Sequence, residues 1–243
     1  MRGLMLHNEF QRDGGAYLLR NPAFSEQLPA WLFEPAELER RGRLQATSDG
    51  RRQTWFMAHA GLDLVLRHYW RGGMVAVFSA DVYVWNGLRR TRPVAEYCLL
   101  RRLGAMGLPV PEGIAARVQP VNPLSYRGDL ITRAIPRASS LADRILAGQD
   151  DRELWALVGR TIASFHRAGA VHADLNVRNI LVDETAQVWL IDWDRGSLRG
   201  GNRHRRANVS RLRRSLAREE RLDERAHQAW PHLQRAYHEA MAN

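Results

Sequence analysis

The sequence has no lysine, since all 36 of its Lys and Arg residues are arginine. Any chemistry that commonly uses lysine must therefore use arginine or do without. The single cysteine, Cys98, excludes an internal disulfide and favours a reducing compartment. No apolar run approaches the roughly 18 residues of a membrane-spanning helix. The N-terminal stretch MRGLMLHNEF has too short an apolar core for a signal peptide. These absences predict a cytoplasmic protein.

Positive charge is what the sequence has in excess. The 243 residues carry a formal net charge of +10, and 45% of them are hydrophobic. That apolar content suffices for one sizeable domain or for two small lobes with separate cores. The charge favours an anionic partner, which could be nucleic acid, a membrane surface or a phosphorylated substrate. Charge alone does not choose among the three.

The first half of the chain has the pattern of a small antiparallel sheet. Residues 1–40 are mixed and end in a short predicted helix. Partial apolar alternation then predicts an antiparallel meander, a helix and two more strands. In order, these elements cover residues 43–48, 53–60, 62–70, 91–107, 113–121 and 128–135.

After Pro136 the pattern becomes mainly helical. Two helices, two short strands and an arginine-rich helix from about Ala207 follow. The first four cover residues 139–148, 151–169, 179–183 and 187–192. The order predicts an α+β protein of two lobes joined near residues 135–137. Residues 1–135 would form an N-terminal extension and the sheet lobe, and residues 136–243 the helical lobe.

The segment VHADLNVRNILVD concentrates polar side chains just before an apolar strand. His172, Asp174 and Asn179 form the pattern H-x-D-L-x-x-x-N. Asp174 could accept a proton from an attacking hydroxyl, and His172 could brace the loop from behind. Asn179 could bind a metal ion through its amide oxygen, and Asp192 follows at the end of the strand VWLI. Asn179 and Asp192 together suit a magnesium–nucleotide site, because Mg²⁺ prefers hard oxygen ligands and keeps substrate phosphates in its shell.

HADLNVRN followed by LIDWD resembles the catalytic and metal-binding loops of the protein-kinase-like superfamily. The resemblance implies a two-lobed kinase-like fold, ATP and Mg²⁺. It makes Asp174 the catalytic aspartate, His172 the loop histidine, and Asn179 and Asp192 the metal ligands. Two departures stand out. Ala173 replaces the arginine that reads a phosphorylated activation loop, and DWD replaces Asp-Phe-Gly. Both favour a small-molecule or lipid-linked sugar kinase over a regulated protein kinase.

The same resemblance implies that the N-terminal half contains groups that bind the nucleotide. In this lysine-free chain, Arg67 in the third strand is the substitute for the lysine that grips the phosphates, with His68 as the other choice. Its helical partner would be Glu96, for which a solvated helix face is the alternative. Gly50, between the first two strands, would lie in the loop over the phosphates. A plain hairpin turn is the alternative there.

Further segments point to one family within this superfamily. LVLRHYWRGGMVA, ITRAIPRASSLADRI, IDWDRG and ANVSRLRRSL, with others between about residues 45 and 218, are similar to the 3-deoxy-D-manno-octulosonic acid (Kdo) kinases of Gram-negative bacteria. The resemblance implies transfer of the ATP γ-phosphate to the 4-hydroxyl of Kdo in Kdo-lipid A. It places the enzyme on the cytoplasmic face of the inner membrane. A basic surface suits a peripheral protein on that anionic membrane.

Three other interpretations remain. A heptose kinase or an antibiotic kinase would have the same site chemistry. A basic nucleic-acid-binding protein would suit the arginine cluster at residues 199–225, but it leaves Asp174, Asn179 and Asp192 unexplained, so no nucleic-acid partner is expected. A pseudokinase would suit the missing lysine and the glycine-poor loop.

Overall fold

The computed structural model describes residues 10–48, 54–70, 81–218 and 220–242. The chain forms two units. Unit 1 comprises Met1–Cys98 and Glu112–Ala134, and unit 2 comprises Leu99–Pro111 and Ile135–Asn243.

Unit 1 is built on an antiparallel sheet. Its strands are β1 (Phe10–Asp13), β2 (Ala16–Arg20), β3 (Leu44–Ser48), β4 (Thr54–His59), β5 (Leu62–His68), β6 (Tyr83–Val84), β7 (Gly113–Asn122) and β8 (Ser125–Arg133). They follow the order β1-β2-β7-β8-β5-β4-β3, and β6 also pairs with β8. The meander predicted for β3, β4 and β5 is confirmed by their antiparallel registers.

The N-terminal segment contains a hairpin that the sequence reading missed. β1 and β2 pair across a turn at Gly14 and Gly15, which have positive φ values of 53° and 87°. Glycine adopts these angles at little steric cost. β2 also pairs with β7, so the hairpin extends the sheet. The predicted short helix is present as α1 (Pro35–Arg40). Leu32, Phe33 and Leu38, in and before this helix, join the buried core of unit 1.

Helix α2 (Arg92–Ala105) begins in unit 1 and ends in unit 2. Its first turn approaches β8 closely. A Cβ atom at Gly128 would lie only 2.6 Å from Cγ of Pro93. Such a distance is too short for a carbon–carbon contact, so only glycine fits at this crossing. The close approach fixes the first turns of α2, including the buried Glu96, on the sheet.

Unit 2 is mainly helical. Its helices are α3 (Leu141–Leu146), α4 (Arg152–Arg167), α5 (Asn202–Leu216) and α6 (Glu220–Ala242), and its strands are β9 (Ser139–Ser140), β10 (Ile180–Val182) and β11 (Val188–Leu190). The strands form an antiparallel sheet in the order β11-β10-β9. The arginine-rich helix starts at Asn202, earlier than the predicted Ala207.

Helix α4 forms the centre of the unit 2 core. Asp151 is its N-cap residue, and the Asp151 side chain accepts a hydrogen bond from the N–H of Leu154. The apolar residues Leu154, Val158, Ile162 and Phe165 of the helix are buried, and α6 packs against α4 at Gly159. A Cβ at that position would lie 2.3 Å from the carbonyl oxygen of Leu233. The last turn of α4 brings Phe165 and His166 to the base of the candidate site.

Candidate active site

Residues 172–179 form a loop between α4 and β10, and the buried His172 anchors it. Its Nδ1 accepts a hydrogen bond of 3.1 Å from the N–H of Asp174. Its Nε2 lies 2.8 Å from the carbonyl oxygen of Ile191 and donates to it. These partners assign the tautomer with the proton on Nε2. His172 thus ties the loop to the segment that follows β11.

The carboxylate of Asp174 faces solvent, with 56% of its side chain exposed. Its Oδ2 accepts a hydrogen bond of 3.3 Å from the side-chain amide of Asn176. Its Oδ1 lies 3.6 Å from Nη1 of Arg211, which is also half exposed. Exposed pairs of this kind are weak, so the carboxylate remains available to a hydroxyl group.

Asn179 ends a short 3-10 turn, Val177–Asn179, that Asn176 caps. The Oδ1 atom of Asn176 accepts from the backbone N–H groups of Arg178 and Asn179, at 2.9 and 3.1 Å. The side-chain Nδ2 of Asn179 donates to the carbonyl of Asp174 at 3.0 Å. This bond commits the amide nitrogen and leaves the amide oxygen of Asn179 as the atom that could bind a cation.

Asp192 follows β11 in a left-handed conformation with φ of 59°. Aspartate tolerates this region better than most residues, but the conformation still costs free energy and is typical of functional turns. The N–H of the preceding residue, Ile191, donates to the backbone carbonyl of Asn179 at 3.0 Å. The two residues predicted to bind a metal therefore lie on chain segments joined by a backbone hydrogen bond.

Trp193, the middle residue of DWD, is almost fully buried. Its ring stacks on Phe165 at a centroid distance of 5.1 Å, and it meets the ring of His172 edge-on at 4.8 Å. Its Nε1 donates to the carbonyl of Leu190 at 2.9 Å. Trp193 therefore anchors the turn that contains Asp192 on the core of unit 2.

The donor set suits Mg²⁺. Asn179 and Asp192 supply an amide oxygen and a carboxylate, and Mg²⁺ completes such a shell with water and substrate phosphates. Among the residues that the structure describes, no group of three or more His, Cys, Asp or Glu side chains is placed to hold a metal ion. A magnesium ion bound at this turn would be held by Asn179 and Asp192.

Helix α5 holds the loop at two points that the sequence reading missed. The buried Asn208 accepts from the N–H of His172 at 3.0 Å and donates to its carbonyl at 2.6 Å. Two turns later, the hydroxyl of Ser215 accepts from the N–H of Val177 at 3.1 Å. The signal was a pair of small polar residues seven positions apart, which lie on one face of a helix.

His166 connects these anchors to α6. Its Nε2 lies 3.3 Å from Oδ1 of Asn208, and its Nδ1 lies 2.8 Å from the hydroxyl of Tyr237. Burial lowers the pKa of His166 from 6.5 to about 4, with the hydrogen bond to Asn208 opposing the shift and the charge of Arg205 adding to it. The imidazole is therefore neutral at pH 7, donating to Asn208 and accepting from Tyr237.

In unit 1, Arg67 on β5 forms the predicted ion pair with Glu96 on α2. The carboxylate is almost fully buried and also accepts a hydrogen bond of 2.6 Å from the hydroxyl of Tyr69. Burial, together with the charge of Glu96, raises the pKa of Tyr69 well above its usual value, so the phenol remains a donor. The pair holds one guanidinium in a fixed place while 18% of the Arg67 side chain stays exposed.

His68, the alternative to Arg67, points to different partners. Its Nδ1 lies 2.6 Å from Oδ1 of Asp129, whose other oxygen accepts from Arg117 at 2.8 Å. Its ring also meets that of Trp70 edge-on at 4.7 Å. Arg67, and not His68, therefore contacts the glutamate of α2. Gly50, predicted to lie in the loop over the phosphates, is outside the described residues.

The sequence profile described as the lipopolysaccharide kinase (Kdo/WaaP) family matches residues 37–237. The chain belongs to the lipopolysaccharide kinase (Kdo/WaaP) family. The match includes Arg67 and Glu96 of unit 1 and Asp174, Asn179 and Asp192 of unit 2. It confirms the family resemblance predicted from the sequence.

Relatives in the Kdo/WaaP family match most of the chain. A 3-deoxy-D-manno-octulosonic acid kinase of Xylella fastidiosa (strain 9a5c) is 40% identical over 223 residues, which cover 90% of this chain and 86% of the relative. One of Stenotrophomonas maltophilia (strain K279a) is 42% identical over 214 residues, covering 87% and 85%.

A solved structure described as WaaP in complex with acyl carrier protein has the same fold. It aligns with a TM-score of 0.56 and 16% identity, covering 91% of this chain and 88% of that chain. The predicted kinase-like α+β fold, with a sheet unit and a mainly helical unit, is thus confirmed for this Kdo/WaaP-family chain. Among the described residues, no helix has the length and apolarity to cross a membrane.

Proposed function

We propose that this chain is an ATP-dependent kinase that phosphorylates the 4-hydroxyl of Kdo in Kdo-lipid A during assembly of the lipopolysaccharide inner core. It would act as one protein-kinase-like domain, peripherally bound to the cytoplasmic face of the inner membrane. Two relatives named as Kdo kinases, each at least 40% identical over most of the chain, support the acceptor class. The excess of arginine suits an anionic lipid surface.

One observation carries the catalytic assignment. Asn179 donates to the backbone carbonyl of Asp174, and its own carbonyl accepts from Ile191, the residue before Asp192. The three proposed reactive side chains thus belong to one hydrogen-bonded framework. A base and two metal ligands in such a framework suit phosphoryl transfer, in which the protein mainly positions the reactants and neutralises charge.

Each of these residues has one role in the proposed reaction. Asp174 orients the acceptor hydroxyl and takes its proton as the new oxygen–phosphorus bond forms and ADP leaves. Asn179 and Asp192 would hold Mg²⁺, which when bound neutralises charge on the phosphates. Arg67, fixed by Glu96, binds nucleotide phosphates through its guanidinium. His172 keeps the loop in place.

Transfer of labelled γ-phosphate from ATP to purified Kdo-lipid A tests the proposal. We expect labelled product whose mass increase localises to Kdo, and fragmentation of that product identifies the hydroxyl. Asp174→Ala should abolish transfer and keep the fold, because the carboxylate faces solvent. Asp13→Ala, at another exposed aspartate, is the matched control. Phosphorylation of a heptose acceptor instead of Kdo, or an active Asp174→Ala enzyme, would contradict it.

A further inference from the structure

An arginine-lined pocket of about 320 Å³ opens beside the carboxylate of Asp174. Arg178, from the loop, and Arg211, Arg214 and Arg218, from α5 and the residues after it, contribute to its lining. Arg211 lies 3.6 Å from the Asp174 carboxylate, and Arg214 and Arg218 add positive charge to the lining that this one carboxylate does not balance. This excess gives the pocket an affinity for an anion that the phosphoryl-transfer roles assigned above do not use.

The spacing along α5 explains why the arginines converge. Arg211 and Arg214 are three residues apart, an interval that places side chains on one side of a helix, and Arg218 follows two residues after the end of α5. The neighbouring Leu212 and Leu216 are buried, so this side of the helix has a fixed orientation.

The arginine pocket also has a fixed position relative to the catalytic loop. Asn208 binds the backbone of His172, and Ser215, which lines the pocket, binds the N–H of Val177, so the loop and the helix are joined at two points. A ligand held by Arg214 is consequently positioned relative to Asp174. A guanidinium group can bind a carboxylate with two parallel hydrogen bonds, so the exposed arginines of this lining suit such a ligand.

We infer that the arginine pocket binds the carboxylate of the acceptor sugar acid and thereby selects an acidic sugar. The inference rests on the proposed function, since it names the acceptor group recognised beside the catalytic aspartate. Kdo is a sugar acid, so it carries a carboxylate in addition to the hydroxyl that reacts. The long, exposed contact between Arg211 and Asp174 leaves donors of Arg211 free to be shared with such a ligand.

Kinetic measurements on Arg214→Gln and Arg218→Gln test the inference, with Kdo-lipid A and ATP varied separately. Each substitution should raise the KM for the acceptor about ten-fold, as expected for loss of a charge-assisted hydrogen bond, and leave the KM for ATP unchanged. Arg206→Gln is the matched control, because it removes the same charge from an exposed position of α5 outside the pocket lining. An increase in the KM for ATP alone, or equal effects of all three substitutions, would overturn the assignment.

Two modified acceptors identify the anion. The first is Kdo-lipid A whose carboxylate has been reduced to an alcohol. The wild type should bind it more weakly than intact Kdo-lipid A, whereas Arg214→Gln should bind the two acceptors equally. With an acceptor that lacks the lipid A phosphates, the difference between wild type and Arg214→Gln should persist. If that difference disappears with the phosphates and persists in the carboxyl-reduced acceptor, the pocket recognises phosphate and the inference is wrong.

Binding of free Kdo without ATP separates this inference from the proposed function. Calorimetric titration should show weaker binding to Arg214→Gln than to the wild type or Arg206→Gln, whether or not phosphate is transferred. Equal binding by all three proteins contradicts the carboxylate pocket, even if the wild type phosphorylates Kdo-lipid A. Absence of transfer together with Arg214-dependent Kdo binding contradicts only the proposed reaction.

Discussion

The side chain of Asn208 forms hydrogen bonds with both backbone polar groups of His172. Its amide oxygen accepts from the His172 N–H at 3.0 Å, and its amide nitrogen donates to the His172 carbonyl at 2.6 Å. The asparagine thus replaces the neighbouring strand that would satisfy these groups in a sheet. Both residues are buried in the core of unit 2, where an unpaired backbone polar group costs free energy.

Replacing Asn208 should therefore destabilise the protein and weaken catalysis. Asn208→Ala leaves two buried backbone groups of His172 without their partner, so we expect the free energy of unfolding to fall by about 2–4 kcal/mol. Thermal unfolding and the transfer assay measure the two effects. Ser210→Ala, at an exposed position of the same helix, should change neither. Full stability in Asn208→Ala would show that the two hydrogen bonds contribute nothing.

Stability should fall as the solution becomes acidic because of His166. Its pKa is about 4 in the folded protein and near 6.5 when unfolded. Between these values the unfolded chain binds a proton that the folded protein does not. The free energy of unfolding should thus decrease by about 1.4 kcal/mol per pH unit, on the order of 3 kcal/mol in all, as pH drops from 6.5 to 4.

Urea unfolding of the wild type and His166→Gln across that pH range isolates this contribution. The variant starts from lower stability at pH 7, because glutamine does not reproduce both hydrogen bonds of the imidazole. Its loss of stability on acidification should be smaller than that of the wild type. Parallel pH curves for the two proteins would contradict the assignment to His166.

Breaking the ion pair between Arg67 and Glu96 should impair nucleotide binding. Glu96→Gln keeps the size of a buried side chain but removes its charge, so Arg67 loses its counter-ion and its fixed position. We expect a loss of stability of about 3 kcal/mol and a KM for ATP about ten-fold higher. Glu39→Gln, on the exposed side of α1, is the control. An unchanged KM for ATP would refute the nucleotide role of the pair.

The left-handed backbone of Asp192 allows its conformational and chemical roles to be separated. Asparagine tolerates positive φ as aspartate does, so Asp192→Asn should stay folded while the Mg²⁺ dependence of nucleotide binding weakens. Asp192→Val should lose a further 1–2 kcal/mol or so of stability, because a β-branched residue is strained in this region. Nucleotide binding titrated at several Mg²⁺ concentrations, with thermal unfolding alongside, measures both. Identical Mg²⁺ dependence in the wild type and Asp192→Asn would exclude it as a ligand.

The sequence predicts elements best where a local pattern coincides with burial. The alternation in β4 and β5 places Trp55, Met57, Leu64 and Leu66 in the core, and the meander was predicted correctly. β1 was missed because three of its four residues are exposed edge residues with no apolar alternation. Its signal was the glycine pair in the turn, which indicates a hairpin only when both flanking strands are recognised.

In the candidate site, too, some residues could be predicted from local sequence and others could not. His172, Asp174 and Asn179 are close in sequence, so their pattern could be read directly. Asn208 and Ser215 belong to a helix whose local sequence looks like a solvated basic surface, and only tertiary packing reveals their contacts with the loop. The choice between Arg67 and His68 likewise needs the structure, because adjacent strand residues face opposite sides and the sequence does not say which side carries α2.

The burial of Trp193 limits movement of the turn that contains Asp192. Swinging the Asp192 turn outwards would expose an indole that packs on Phe165 and would break its bond to Leu190, at a cost of about 4 kcal/mol. At that cost fewer than about one molecule in a thousand would adopt an open arrangement. The turn that carries Asp192 should therefore keep its place in nearly every molecule before any ligand binds.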